Sequence, residues 1–68
     1  MNEDTLNMEI RKYLKTVGIT SQREIEHAVS KALESGVLGG LETIGVKMTL
    51  EVPAIGLNHC IEGKIALE

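Results

Sequence analysis

The chain has 68 residues, a formal net charge of -3, and seven basic residues that are scattered along it instead of being clustered. These properties disfavour a surface for nucleic-acid phosphates, which requires grouped Lys and Arg. Because a chain this short removes only about 60% of its unfolded surface on folding, and Tyr13 is its one aromatic residue, we expect a single small domain over residues 1–68 with a small aliphatic core.

The first predicted element is a helix over residues 2–17. Asn2 can cap it, and the acidic Glu3 and Asp4 suit a first turn, where the helix dipole favours negative charge. The apolar residues that follow have helical spacing: Leu6, Ile10, Tyr13, Leu14 and Val17. Gly18 then provides a stop signal, since glycine is the commonest residue just past a helix end.

A second helix is predicted over residues 21–35. Ser21 and Glu24 have the S-x-x-E spacing of a capping box, and Gly36 provides the stop signal. The apolar stripe of this helix consists of Ile25, Ala28, Val29, Ala32 and Leu33. Only residues 18–20 separate the two helices, so the pattern predicts a helix-turn-helix pair.

Residues 36–45, with the sequence GVLGGLETIG, form a glycine-rich connection in this interpretation. A short extra strand over residues 41–44 is an alternative for part of it. Gly39 and Gly40 lack the Lys-Ser/Thr pair of a phosphate-binding loop, so we interpret them as part of a linker.

The remaining residues predict an antiparallel β-hairpin. Apolar and polar residues alternate over residues 46–52, Pro53 ends that strand, and the alternation resumes over residues 59–66 after a loop at residues 53–58. An isolated hairpin is marginally stable in water, so we expect its apolar side to be covered. The predicted fold class is α+β, with two N-terminal helices packed on a C-terminal antiparallel β-hairpin in the order α-α-β-β.

Three residues are the weak candidates for a metal or ligand site: His59, Cys60 and His27. Neighbours in a strand point to opposite faces, so His59 and Cys60 cannot easily converge on one ion. His27 would add one ligand from a helix, which is too few for a recognisable zinc site. We therefore predict no metal site, no cofactor and no catalytic residue.

Glu51 and Glu62 are the one pair of carboxylates that invites a catalytic interpretation. Both lie on the polar parity of the two predicted strands, where they could come close together. A catalytic pair needs a pocket that raises one pKa, and the outer face of a small sheet rarely provides one. Cross-strand pairing with Lys47 and Lys64 is the role that we predict for them.

Two stretches resemble a family of short bacterial proteins classed as a domain of unknown function. They are TSQREIEHAVSKAL and VKMTLEVPAIGLNHCIEGKIALE, and the resemblance covers nearly the whole chain. It implies a small self-contained domain. It implies no reaction, cofactor or catalytic residue.

From these observations we predict a non-enzymatic domain that binds a protein partner or forms a homodimer through an edge of the hairpin. Nucleic-acid binding through a helix-turn-helix-like or winged-helix-like surface is the alternative, and a metal or ligand site near His59 is the third hypothesis. The lone Cys60 and the absence of a signal peptide or apolar span favour the cytoplasm and argue against the membrane. Leu67 and Glu68 are either native or a cloning scar.

Overall fold

The computed structural model describes all 68 residues, which fall into two compact units, Met1–Val37 and Leu38–Glu68. The first unit contains the helix α1 (Glu3–Glu34). The second contains strand β1 (Thr43–Val52), a short 3-10 turn (Pro53–Ile55) and strand β2 (Leu57–Ala66). The predicted α+β class and the C-terminal hairpin are confirmed. The prediction of two N-terminal helices is wrong, because the structure has one.

Helix α1 has 32 residues. Its first and last residues, Glu3 and Glu34, lie within one residue of the predicted start of the first helix and the predicted end of the second. The Asn2 side-chain oxygen accepts a hydrogen bond from the Thr5 amide at 3.1 Å, which satisfies one of the free amides of the first turn. At the other end Gly36 has a φ of 80°, and its amide donates to the Leu33 carbonyl at 3.3 Å. Gly36 is therefore the left-handed stop that its position predicted.

Two sequence signals wrongly predicted a second helix: the stop signal at Gly18 and the capping-box spacing that begins at Ser21. Residues 18–21 are helical, and no residue near Gly18 has a positive φ. A glycine inside a helix costs only about 1 kcal/mol relative to alanine, whereas a break leaves four amides and four carbonyls to be satisfied elsewhere. The apolar spacing also continues without a phase shift from Val17 through Ser21 to Ile25, so one helix keeps these residues on one face.

The hairpin pairs β1 with β2 antiparallel in one uninterrupted register. Thr43 pairs with Ala66 at the open end, Met48 with Ile61 in the middle, and Val52 with Leu57 at the turn. The ladder is extended at the open end by a hydrogen bond from the Leu67 amide to the Glu42 carbonyl at 3.0 Å. Both strands have ten residues and are longer than the predicted ranges 46–52 and 59–66.

The two strands are longer because the connections are shorter than predicted. Pro53 begins a single 3-10 turn, and Gly56 follows it with a φ of 65°, so four residues reverse the chain where the sequence indicated a loop over 53–58. At the other end β1 begins at Thr43, inside the predicted connection over 36–45. The suggested extra strand at 41–44 is therefore the start of β1, and the sheet has two strands only.

No side chain of the protein is buried. The most covered residues of the helix and the hairpin are only half-buried, and several large apolar side chains are exposed. Neither unit by itself therefore contains an aliphatic core. The apolar residues instead form surfaces, one on each unit.

Candidate interaction surfaces

The register of the hairpin sorts apolar and polar side chains onto opposite faces. Residues that lie directly opposite each other in an antiparallel pair point to the same side of the sheet. We call the apolar side the hairpin face, and it consists of Ile44, Val46, Met48, Leu50 and Val52 on β1 and Leu57, His59, Ile61, Gly63 and Ile65 on β2. Eight of these ten residues are aliphatic or Met, so the predicted period-two pattern describes this face correctly.

The hairpin face is open to solvent over much of its length. Ile61 is 52% exposed, Leu57 39% and Met48 36%. Ten residues in an extended strand span about 34 Å, so this is a long apolar strip and not an isolated apolar residue. A two-stranded hairpin with such a face is marginally stable in water unless something covers it.

The opposite, polar face carries the charges and the only cysteine. Lys47 lies opposite Glu62, whereas Lys64 lies opposite Gly45, so the register aligns only one of the predicted cross-strand charge pairs. Glu51 lies opposite Asn58, and Glu62 is four positions further along the ladder, which is about 14 Å. The two carboxylates that the sequence placed near each other are thus far apart, and the register does not make them a catalytic pair.

The three candidate metal-site residues lie on different surfaces. His59 is on the hairpin face opposite Leu50, whereas Cys60 is on the polar face, with its Sγ 3.8 Å from the Thr49 hydroxyl. His27 is an exposed residue of α1. No three His, Cys, Asp or Glu side chains are grouped as a metal site requires. His59 is therefore a polar group set among apolar residues, which is the property that matters for this surface.

Helix α1 carries a second, largely apolar surface. Its residues lie on one face only because the helix is continuous from Glu3 to Glu34. Its residues recur with spacings of four, four and three, an 11-residue repeat. We call it the helix stripe: Leu6, Ile10, Leu14, Val17, Ser21, Ile25, Ala28 and Ala32. At 3.6 residues per turn these eight positions fall within an arc of about 100° and extend about 39 Å along the axis. The same arc contains three further polar residues, Glu3, Asn7 and Glu24.

The helix stripe is partly exposed within the helix unit, and its side chains differ in size from one end to the other. Leu6, Ile10 and Leu14 are 44%, 46% and 52% exposed. Large residues occupy the N-terminal half, whereas Ala28 and Ala32 occupy the C-terminal end. Any chain that packs along the stripe therefore meets bulky side chains at one end and small ones at the other.

Glu42 organises the segment before β1, although no motif in the sequence indicates a role for it. Its carboxylate accepts hydrogen bonds from the amides of Gly39, Gly40 and Leu41, at distances from 2.8 to 3.1 Å. The bond from Gly39 is the largest cause that lowers the pKa of Glu42 below its usual value. Three consecutive amides that converge on one anion form a nest, and here the chain fills it with its own side chain.

The hairpin also has free edges, because a two-stranded sheet leaves one side of each strand unpaired. The segment 41–44 does not cover either edge, since its last two residues belong to β1. The hairpin therefore carries both the free edges through which a homodimer was predicted and the exposed apolar face.

Helix α1 is long enough to cross a bilayer but carries too many charged residues, so the protein has no membrane-spanning helix. The predicted cytoplasmic location stays a prediction. The helix-turn-helix geometry on which the nucleic-acid hypothesis was based is absent, since residues 18–20 are not a turn.

A family model matches residues 1–68, the whole chain, and its description is Family of unknown function (DUF6494). The resemblance to a family of unknown function that the sequence suggested is therefore confirmed. No curated protein and no solved structure matches the chain.

Proposed function

Because the chain belongs to the DUF6494 family, whose function is unknown, we propose a role from its own surfaces: it is a non-enzymatic protein that works by self-association, with the hairpin as the contact surface. The observation that carries the proposal is the hairpin face, an apolar strip of ten positions that the hairpin itself leaves partly exposed. Contiguous apolar patches of this kind on soluble proteins typically mark interaction sites.

The composition of the hairpin face supports a second copy of the chain as the occupant. A second hairpin brings an apolar face of the same length and composition, so a two-fold contact can place aliphatic side chains against aliphatic side chains.

The free edges of the hairpin and its apolar face both favour self-association. Pairing the edge of one hairpin with that of a copy satisfies free amides and carbonyls and joins two hairpin faces into one wider apolar surface. Stacking two hairpin faces buries the aliphatic side chains directly. In both arrangements Met48 and Ile61, which pair in the middle of the ladder, lie in or beside the contact.

Sedimentation equilibrium from micromolar to millimolar protein tests the proposal. We expect a monomer–dimer equilibrium for the wild type, and at least a 100-fold weaker dimer for Met48→Lys. The estimate takes ~1.5 kcal/mol for the lost burial of each Met, counted in both copies, with tenfold in affinity per 1.4 kcal/mol. Thr49→Lys adds the same charge one residue further on but on the polar face, and should change the affinity less than twofold.

Met48→Ser provides a milder variant in case the lysine unfolds the hairpin, and far-UV circular dichroism of each variant at equal concentration reports folding. A wild-type protein that stays monomeric up to millimolar concentration contradicts the proposal. Equal weakening by Met48→Lys and Thr49→Lys contradicts the choice of face. Submicromolar binding to duplex DNA at low salt would favour the nucleic-acid alternative instead.

A further inference from the structure

We infer that helix α1 pairs with α1 of a second copy in an antiparallel arrangement, with its two-fold axis near Ile19. The inference concerns a surface that the proposed function does not use, although it rests on the same proposal that the chain self-associates. It depends on the helix stripe, whose eight residues keep one 11-residue repeat over about 39 Å.

The sizes of the stripe residues select the antiparallel direction. Placing the axis near Ile19 puts Leu6 opposite Ala32 of the second copy, Ile10 opposite Ala28, and Val17 opposite Ser21. Each of these contacts joins a large side chain to a small one, which is the condition for facing positions to interdigitate at a constant separation. Symmetry repeats every contact once, so six of the eight contacts are of this kind.

The fourth contact departs from this pattern. In the strict register Leu14 lies opposite Glu24 of the second copy, and the large apolar residue that it can meet is the next one, Ile25. It falls between the Ile10 and Val17 contacts, so the bulkiest part of the interface is flanked by smaller contacts on both sides.

A parallel pair has no such match. It would place Leu6 opposite Leu6 and Ile10 opposite Ile10 at one end, and Ala28 opposite Ala28 and Ala32 opposite Ala32 at the other. The separation of packed helix axes follows the size of the side chains between them, so the two axes would have to diverge at the leucine end or leave a void at the alanine end.

The 11-residue period of the helix stripe also suits a second helix as the partner. Eleven residues in three turns give 3.67 residues per turn, close to the 3.6 of a straight helix, so the stripe stays on one side with only slight drift. A second helix with the same repeat matches it over the whole length. The charges beside the stripe agree with the antiparallel direction, because Glu9 then lies near Lys31 of the second copy on the same edge.

Disulfide trapping between two different single-cysteine variants tests the direction. The exposed Cys60 is first replaced by Ser, and Leu6→Cys and Ala32→Cys are then made as separate proteins in that background. The two proteins are mixed at low concentration, concentrated, and equilibrated with reduced and oxidised glutathione, the latter being the oxidant. Mass spectrometry under non-reducing conditions separates the mixed dimer from each homodimer by mass.

The expected result is a mixed disulfide at least tenfold more abundant than either homodimer. The matched control mixes Lys12→Cys with Glu26→Cys, which lie opposite each other in the same register but on the far side of the helix from the stripe. The control mixture should give the mixed disulfide at no more than its statistical level, about twice that of either homodimer.

Three other results overturn the inference and differ in their meaning. Efficient homodimer trapping by Leu6→Cys alone indicates a parallel pair. No trapping by any variant, in a protein that sedimentation shows to be dimeric, excludes the helix stripe from the interface and leaves the hairpin proposal intact. A protein that is monomeric in sedimentation and untrapped contradicts both the helix pairing and the proposed self-association.

Discussion

Replacing Gly18 with Ala is the sharpest test of the continuous helix, because the two interpretations of residues 18–20 predict opposite signs. In the structure Gly18 is helical, and a Cβ added there would meet no atom within 4 Å. Alanine should therefore stabilise the protein by about 1 kcal/mol, the difference in helix propensity between the two residues. For a domain of this size, 1 kcal/mol raises the melting temperature Tm by about 4–8 °C.

Gly36→Ala is the matched control, since it makes the same chemical change at the end of the same helix. Gly36 has a φ of 80°, where a residue with a Cβ costs roughly 1–2 kcal/mol, so Tm should fall by several degrees. Thr20→Pro should lower Tm more strongly, because proline inside a helix costs about 3 kcal/mol, whereas a turn at residues 18–20 would tolerate it.

The assay is thermal unfolding followed by circular dichroism at 222 nm, at one fixed protein concentration because the Tm of an associating protein depends on it. A lower Tm for Gly18→Ala together with an unchanged Tm for Thr20→Pro would refute the continuous helix and restore the two-helix interpretation.

Two further predictions concern the hairpin unit. The low pKa of Glu42 means that its bonds to the amides of Gly39, Gly40 and Leu41 stabilise the fold above the pKa of an unfolded Glu, about 4.3, and that this contribution is lost as the pH falls through the lower folded value. Glu42→Gln should therefore be less stable than the wild type in urea unfolding at pH 7, and the difference should shrink by pH 3. A difference that is equal at both pH values would contradict this role. Replacing His59 with Leu removes the one ionisable group of the hairpin face. It should strengthen dimerisation in sedimentation by about 100-fold, taking ~1.4 kcal/mol for a polar group buried without a partner in each of the two copies. Unchanged dimerisation would place His59 outside the contact, and weaker dimerisation would contradict its burial without a partner.

The sequence predicted the hairpin better than the helix because all the local signals in the hairpin indicate the same structure. The alternation of apolar residues, Pro53 at the reversal and Gly56 after it all indicate the same register, and parity alone placed His59 and Cys60 on opposite faces. The boundaries moved outward because a four-residue reversal was enough to connect the strands.

In the helix, by contrast, local signals competed with a longer-range one. Gly18 followed by the Ser21 and Glu24 spacing has the form of a stop and a start, and each signal is valid by itself. The phase of the stripe from Val17 to Ile25 indicated continuity, and it outweighs them because one glycine costs less than two helix ends. The 11-residue repeat is present in the sequence, but it can be recognised only if Gly18 is taken as a helical residue and not as a helix end.

Glu42 was missed for a different reason. Its partners are the amides of the three residues immediately before it, and backbone donors leave no mark in a sequence. The only signal was the pair Gly39-Gly40, whose small residues let the chain curl around a carboxylate. Without a strand or helix period to anchor them, they indicate a linker equally well.

The division of the chain into one helix and one tight hairpin sets the order of events when the protein folds. Every regular hydrogen bond joins residues that are either a turn apart in the helix or connected through the short reversal at Pro53, so few long loops must close. Helices and hairpins of this kind form within about 0.1–10 μs. The proposed encounter of two copies is bimolecular and far slower at micromolar concentrations, so we expect each unit to form before a partner arrives. Refolding should accordingly show an amplitude faster than stopped-flow mixing, followed by a phase whose rate rises with protein concentration.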